Sequence, residues 1–285
     1  ILTTFNEPIE TWLDFFCFAT FTDRDGKYQL GALAESAFNP LSQSTRFMLT
    51  EEAHHLFVGE SSIARVIRRS AQLAKEAPEE DVAKAGGIPL EILQKYINFW
   101  YSSSLDLFGS EDSSNSATFF SSGLKGRFNE GNRRLNPDPV CLKGSYTLEI
   151  FEEDGSFTTK EIPLRRAMNA ILRDSYIEDC KRVLKRWNKV LKEEGYPFEF
   201  YLPSPRFNRK IGVYAGKHFD PQGNFLTPEE FEKRKDEFLP TKEDRDFVAS
   251  LMYQVIEPGK FANWIHPPKK GINGKPIDFE YVRFD

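Results

Sequence analysis

The sequence predicts a mainly α protein, a helical bundle that carries a small β-hairpin and an extended C-terminal tail. Three observations lead there. Apolar residues recur at helical spacing over residues 9–38 and again from Leu41 to Leu73. Asn39-Pro40 punctuates the two stretches, because Pro suits a helix start and disfavours helix in the residue before it. Alternation about a turn signal appears at residues 145–163.

In the first stretch the apolar stripe is Trp12, Phe16, Ala19, Leu30, Leu33 and Ala37. Asp23-Arg24-Asp25-Gly26 interrupts it, as either a turn or a polar patch on one long helix. With residues 41–73 it forms an antiparallel helical hairpin, the unit from which bundles are built. Residues 74–88 are charged and end in Gly86-Gly87, which reads as a surface loop. Pro89 opens a third helix bearing Ile92, Leu93, Tyr96, Ile97 and Trp100. A Ser-rich interval at 113–122 and a basic, Asn-rich loop at 125–138 follow. The hairpin turns at Asp154-Gly155. Leu164 to Glu194 is a long amphipathic helix that Gly195 ends. Extended pieces are expected around 198–202 and 211–214, then two helices, the first announced by Thr227-Pro228-Glu229-Glu230. The tail from Glu257 to Asp285 has Pro, Gly and aromatics without a period and is expected to wrap the surface. Two regions result, a helical core at 1–135 and an extension at 136–285, packed as one domain.

A chain of 285 residues can bury a substantial core, and Phe 26 against Met 3 predicts an interior crowded with aromatic rings. No run of about 18 apolar residues exists, so no membrane span is expected. The net charge of −5 argues against a nucleic-acid partner. Cys17, Cys141 and Cys180 form no CxxC and read as free thiols of a reducing cytoplasm. No charged-then-apolar leader opens the chain, so the expected location is cytoplasmic.

The chemically informative stretch is Met48-Leu-Thr-Glu-Glu-Ala-His-His55. It holds two overlapping Glu-x-x-His pairs, Glu51/His54 and Glu52/His55. A three-residue step puts carboxylate and imidazole one turn apart on one helical face, so the two can grip one metal ion. The face of Glu52 and His55 also carries Met48, Leu56, Gly59, Ile63 and Val66, whereas that of Glu51 and His54 carries Ser44, Ser61 and Arg65. Glu52 is therefore expected to face a core, where an unpaired carboxylate is costly and a bound cation removes the cost. If the hairpin turns at Asn39-Pro40, Glu52 lies about 18 Å and Asp23 about 24 Å from the bend. Asp25 has a suitable depth too, and helical phase does not choose between the two acids. A carboxylate-bridged di-iron bundle needs two Glu-x-x-His pairs and one acid from each of two further helices. Half of such a site is present, because neither His218 nor His266 has a Glu at the right spacing.

Several segments resemble the component B family of benzoyl-coenzyme A oxygenases, the di-iron epoxidases of aerobic benzoate breakdown. They include Thr22-Asp-Arg-Asp-Gly-Lys27, Leu33-Ala-Glu-Ser-Ala-Phe-Asn-Pro40, Met48 to Gly59 and Gly123-Leu-Lys-Gly-Arg-Phe128. Arg209-Lys-Ile-Gly212, Glu257 to Ile265 and Phe279-Glu-Tyr-Val-Arg-Phe284 extend the resemblance over nearly the whole chain. It implies a ferritin-like bundle, of which half the di-iron four-helix core is present, with Asp23, Glu52 and His55 as ligands. It further implies two iron ions and O2-dependent 2,3-epoxidation of the benzoyl ring of benzoyl-CoA. Electrons would come from a separate NADPH-dependent flavin and iron–sulfur reductase. The remaining ligands would come from an N-terminal half absent from this sequence, so the chain reads as a fragment.

Coenzyme A is anionic, so a net acidic protein needs a local basic surface for it. Lys125 and Arg127, and Arg206, Arg209 and Lys210, are the candidate clusters. Phe15, Phe16, Phe18 and Phe21 are candidates for a pocket wall, against the plainer expectation of core packing, and Cys17 reads as a buried packing thiol. Competing readings are a non-catalytic fold that keeps the half-site without iron, and a symmetric dimer that pairs two half-sites.

Overall fold

The structure, a computed structural model, describes residues 2–78, 80–126, 144–255, 261–268 and 270. Arg127, Cys141, the rest of the basic loop and most of the tail after Glu257 lie outside the described residues. The chain is mainly helical with two small antiparallel strand pairs.

The first helical stretch is continuous through the polar patch. Helix α1 (Trp12–Cys17) passes through a π-helical turn (Phe18–Thr22) into α2 (Asp23–Ala34). Thr11 and Asp14 form a reciprocal capping box that satisfies two of the free N-terminal amides. The wide turn frees backbone groups, and Phe21 C=O accepts from the Tyr176 hydroxyl at 3.1 Å. Helix α3 (Asn39–Glu76) starts at Asn39-Pro40 as expected, with Pro in the first turn. Ser42 Oγ donates to Ala34 C=O at 2.6 Å, tying the end of α2 to the start of α3 and closing the antiparallel hairpin.

Helix α4 (Leu90–Leu105) follows Pro89, and the Ser-rich interval contains the short helix α5 (Ser114–Ser121), capped by Ser113. Strands β1 (Ser145–Phe151) and β2 (Phe157–Pro163) pair antiparallel, with Gly155 at φ 85° in the turn. Helix α6 (Met168–Glu194) ends at Gly195, φ 63°, where Tyr196 N–H bonds Leu191 C=O and Gly195 N–H bonds Lys192 C=O. Helices α7 (Pro228–Phe238) and α8 (Lys242–Ser250) carry capping boxes from Thr227 and Thr241.

Two extended expectations need correction. Residues 198–202 run as an irregular segment held by side chains: the Asn188 amide brackets Phe200 and the Gln94 amide brackets Tyr201, each replacing a neighbouring strand. Residues 211–214 turn at Gly212, and the second strand pair is β3 (His218–Phe219) with β4 (Phe225–Leu226). No described helix is long and apolar enough to cross a membrane.

The main core joins α1, the π turn, α2, α3, α4 and α6. Its largest buried rings are Trp100, Trp187, Tyr96, Tyr101, Tyr176 and Phe21. The aromatic interior is present, yet it is led by Trp and Tyr, while Phe38, Phe47 and Phe57 are exposed. Phe16 and Phe21 are core residues, Phe18 is half-buried against Trp100, and Phe15 is exposed. Cys17 and Cys180 are buried free thiols. Arg24, 2% exposed, pins three helices together: it bonds Thr20 C=O, Glu60 on α3 and Asp179 on α6, and Lys27 shares Asp179. Buried charge of this kind needs full pairing to be tolerated.

Candidate metal centre

Helices α2 and α3 run antiparallel, and their facing residues form three successive rungs. Thr20 lies against Gly59, Asp23 against His55, and Gly26 against Glu52. The middle rung is close, with His55 Nδ1 at 3.8 Å from Asp23 Oδ2. One potential ligand atom from each of Asp23, Glu52 and His55 lies within 4.8 Å of the others. Atoms sharing one ion at metal–ligand distances near 2.1 Å sit roughly 3–4 Å apart, so small side-chain rotations close the set. Two carboxylates and an imidazole suit a first-row ion such as iron.

Electrostatics favour a cation here. Burial raises Asp23 to about 6, against partial relief from His55. Burial, then the Asp23 charge, raises Glu52 to about 6. Glu52 Oε2 is buried without a hydrogen-bond donor, an orphan acceptor that a metal ion would satisfy. The residues present therefore fit a metal ion.

Asp25, which phase alone left open, points elsewhere. It is 6% exposed, accepts from Gln29 Nε2 at 3.4 Å, and is raised to about 7 by burial. Gln29 Oε1 in turn accepts from Lys125, whose own ammonium is lowered by burial. This Asp25–Gln29–Lys125 chain was not read from the sequence. Its only sequence signal is the four-residue step from Asp25 to Gln29, which any helix could show.

Glu51 and His54 are exposed. The expectation that Glu52 and His55 face a closed core needs correction at one end. Leu56, Gly59, Ile63 and Val66 are buried, but the His55 side chain is 48% exposed and Met48 50%. The reason is tertiary: no residue from Arg46 to His55 is buried, because this stretch lies against α2 on one side while the bonds of α3 to α6 start further along, at Glu60 and Arg68. Phe47 and Phe57 stand 77% and 68% exposed beside that open face.

The basic candidates are dispersed. Lys125, in the turn after α5, reaches Gln29 on α2. Arg206 bonds Glu149 and stacks its guanidinium 4.0 Å from the Phe157 ring centroid. Arg209 is buried, with Nε at 2.7 Å from Asp106 Oδ1. Asp106 also accepts from the Lys210 and Ile211 amides, so it organises the whole turn. Lys210 is 57% exposed and reaches Glu7 at 3.5 Å. No hydrogen bond or ion pair joins Lys125 to Arg206, Arg209 or Lys210 among the described residues.

No protein-family model matches this chain. The chain is 49% identical, over 289 aligned positions that include all of it, to benzoyl-CoA oxygenase component B of Aromatoleum evansii. This chain is a relative of that oxygenase component. It spans 60% of the length of the relative it matches. The relatedness takes in α2 and α3 and hence every residue of the Asp23, Glu52 and His55 group.

Proposed function

We propose that this chain is the C-terminal part of a di-iron oxygenase component that epoxidises the aromatic ring of benzoyl-CoA at the 2,3 position. The observation that carries the proposal is the Asp23–Glu52–His55 group on facing helices, with an orphan acceptor on Glu52. The similarity of the whole chain to part of a benzoyl-CoA oxygenase component supports the reaction class. Two iron ions, when bound, would bind and reduce O2 with electrons from a separate NADPH-dependent flavin and iron–sulfur reductase.

Within that reading each residue has a task. Asp23, Glu52 and His55 hold iron. The buried Arg24 network fixes α2 against α3 and α6, so the ligands keep their relative height. Buried Phe16 and Phe21 pack in the core behind the ligand-bearing helices. Glu52 and His55 occupy a face of α3 left open at Met48, consistent with further helices completing both ligand set and core. On this view the fold is ferritin-like, residues 1–135 and 136–285 pack as one domain, and the missing ligands lie on a preceding segment of the same protein. Lys125, Arg206 and Lys210 remain candidates for the coenzyme A phosphates, with Arg127 two residues from Lys125 in sequence. Arg209 serves the Asp106 turn instead.

The test is iron content and turnover of the full-length protein. Glu52→Ala and His55→Ala should each lose iron and abolish epoxidation with the reductase present, while Glu51→Ala and His54→Ala keep iron. The opposite pattern of loss and retention would refute the ligand assignment. The open face also admits a second reading, a symmetric dimer that pairs two half-sites. Oligomeric mass with iron per chain separates the two, because an iron-loaded monomer excludes the dimer.

A further inference from the structure

We infer that Gly26 is a positioning residue for the metal site: the side chain it lacks is the space in which the Glu52 carboxylate lies against α2. The inference rests on the metal-binding reading above and adds a residue to it.

A glycine inside a helix costs roughly 1 kcal/mol against alanine and calls for a reason. Backbone conformation is not that reason, because Gly26 lies within α2 and its φ is not positive. It does not cap the helix, which continues to Ala34. The reason lies across the interface. A Cβ built on Gly26 would meet Glu52 Oε1 at 3.2 Å, Glu52 Cδ at 3.3 Å and Glu52 Oε2 at 3.5 Å. Its three nearest neighbours are all atoms of one carboxylate. Gly26 thus sits one turn beyond Asp23 and floors the place that Glu52 occupies.

Separating the helices to accommodate a larger residue would break a tight contact and buried ion pairs. Two rungs away, a Cβ on Gly59 would lie 2.8 Å from Thr20 N, 2.6 Å from Thr20 Oγ1 and 2.9 Å from Phe16 O. Backbone already meets backbone at that rung, and the buried Arg24 pairs to Glu60 and Asp179 hold the same spacing. A side chain at position 26 therefore displaces the Glu52 carboxylate, by a few tenths of an ångström for a Cβ and by more for a longer residue. Ligand constellations are held to within about 0.5 Å, so even the small shift uses much of that tolerance.

The experiment places Gly26→Ala and Gly26→Met in the full-length protein. It measures thermal unfolding without metal, Co(II) affinity by equilibrium dialysis, and the Co(II) ligand-field spectrum. Gly26→Ala should unfold at an unchanged or higher temperature without metal, since alanine favours the helix. Its Co(II) affinity should nevertheless fall roughly tenfold or more with an altered spectrum, the scale seen when groups supporting metal ligands are lost. Gly26→Met should bind more weakly still. Wild-type affinity and spectrum in Gly26→Ala overturn the inference. So does a lower metal-free unfolding temperature in Gly26→Ala, which would assign the glycine to helix packing. Wild-type protein that binds no metal sinks the functional reading, a result distinct from an unaffected variant.

Discussion

Stripped of metal and moved from pH 5 to pH 7.5, the protein should lose stability. Asp23 and Glu52 are both raised to about 6 by burial, and Asp25 to about 7 by the same cause. A carboxyl raised on folding is favoured in its neutral form. Its stabilising contribution is full below the unfolded value near 4 and is lost as the pH rises through the folded value. Asp23 moves from 3.8 to about 6, which at 1.36 kcal/mol per unit is about 3 kcal/mol. Glu52 moves from 4.5 to about 6, or about 2 kcal/mol, and solvent screening at this partly exposed group trims that to about 1. The combined loss of about 4 kcal/mol should begin near pH 4 and be complete just above pH 6, with about half of it, roughly 2 kcal/mol, between pH 5 and 7. Asp179 and Asp244 are shifted the other way by their lysine and arginine partners, so their effects fall below about pH 4, outside this window. The assay is urea unfolding of chelator-treated protein at constant ionic strength across this range. It is repeated with excess Fe(II) without oxygen, and with the double variant Asp23→Asn/Glu52→Gln. Bound metal should reverse the slope, because it binds the ionised ligands of the folded state. The double variant should flatten the slope, leaving the shares of Asp25 and of Asp14, which burial also raises. Stability that is flat or rising over pH 5–7.5 in chelated wild-type protein would refute the reasoning, as would a slope unchanged in the double variant.

Other perturbations test the scaffold. Arg24→Met should destabilise by about 3 kcal/mol or more in chemical denaturation, because it leaves Glu60 and Asp179 without their shared buried cation. A loss under about 1 kcal/mol would show that Lys27 and Arg186 suffice for them. Arg209→Ala should lower stability by a similar amount while Lys210→Ala leaves it within about 0.5 kcal/mol, since one is buried on Asp106 and the other is exposed. Equal thermal shifts in the two variants would contradict that division.

Much of the fold was legible because it rests on local rules. The Asn39-Pro40 helix start, the Asp154-Gly155 turn, the Gly195 stop and the Thr227 cap each depend on the geometry of a few adjacent residues. Departures occurred where partners distant in sequence replace local ones. Residues 198–202 borrow hydrogen bonds from Asn188 and Gln94, and Gly212 turns because the Glu111 carboxylate occupies the place of its absent side chain. Asp23-Arg24-Asp25-Gly26 fits either a turn or a polar patch on one long helix by composition, and the structure keeps it helical. Arg24 finds Glu60 and Asp179, and Gly26 finds Glu52, and no local signal announces either.

For the candidate site, sequence alone determined the pairing of a carboxylate with an imidazole one turn apart, because a three-residue step fixes the shared face of a helix. It also reduced the partner acid to Asp23 or Asp25 by depth along the hairpin. The tertiary structure separates the two acids: α3 meets α2 and the preceding turn along the Thr20, Asp23 and Gly26 rungs, which brings Asp23 to His55 and leaves Asp25 bonded to Gln29. It also leaves the Glu52/His55 face of α3 open among the described residues. A side chain's direction within one helix follows from spacing, but which helix lies across from it depends on how two helices cross. That crossing is set by the Gly59 contact and the buried Arg24 pairs, whose members come together only on folding.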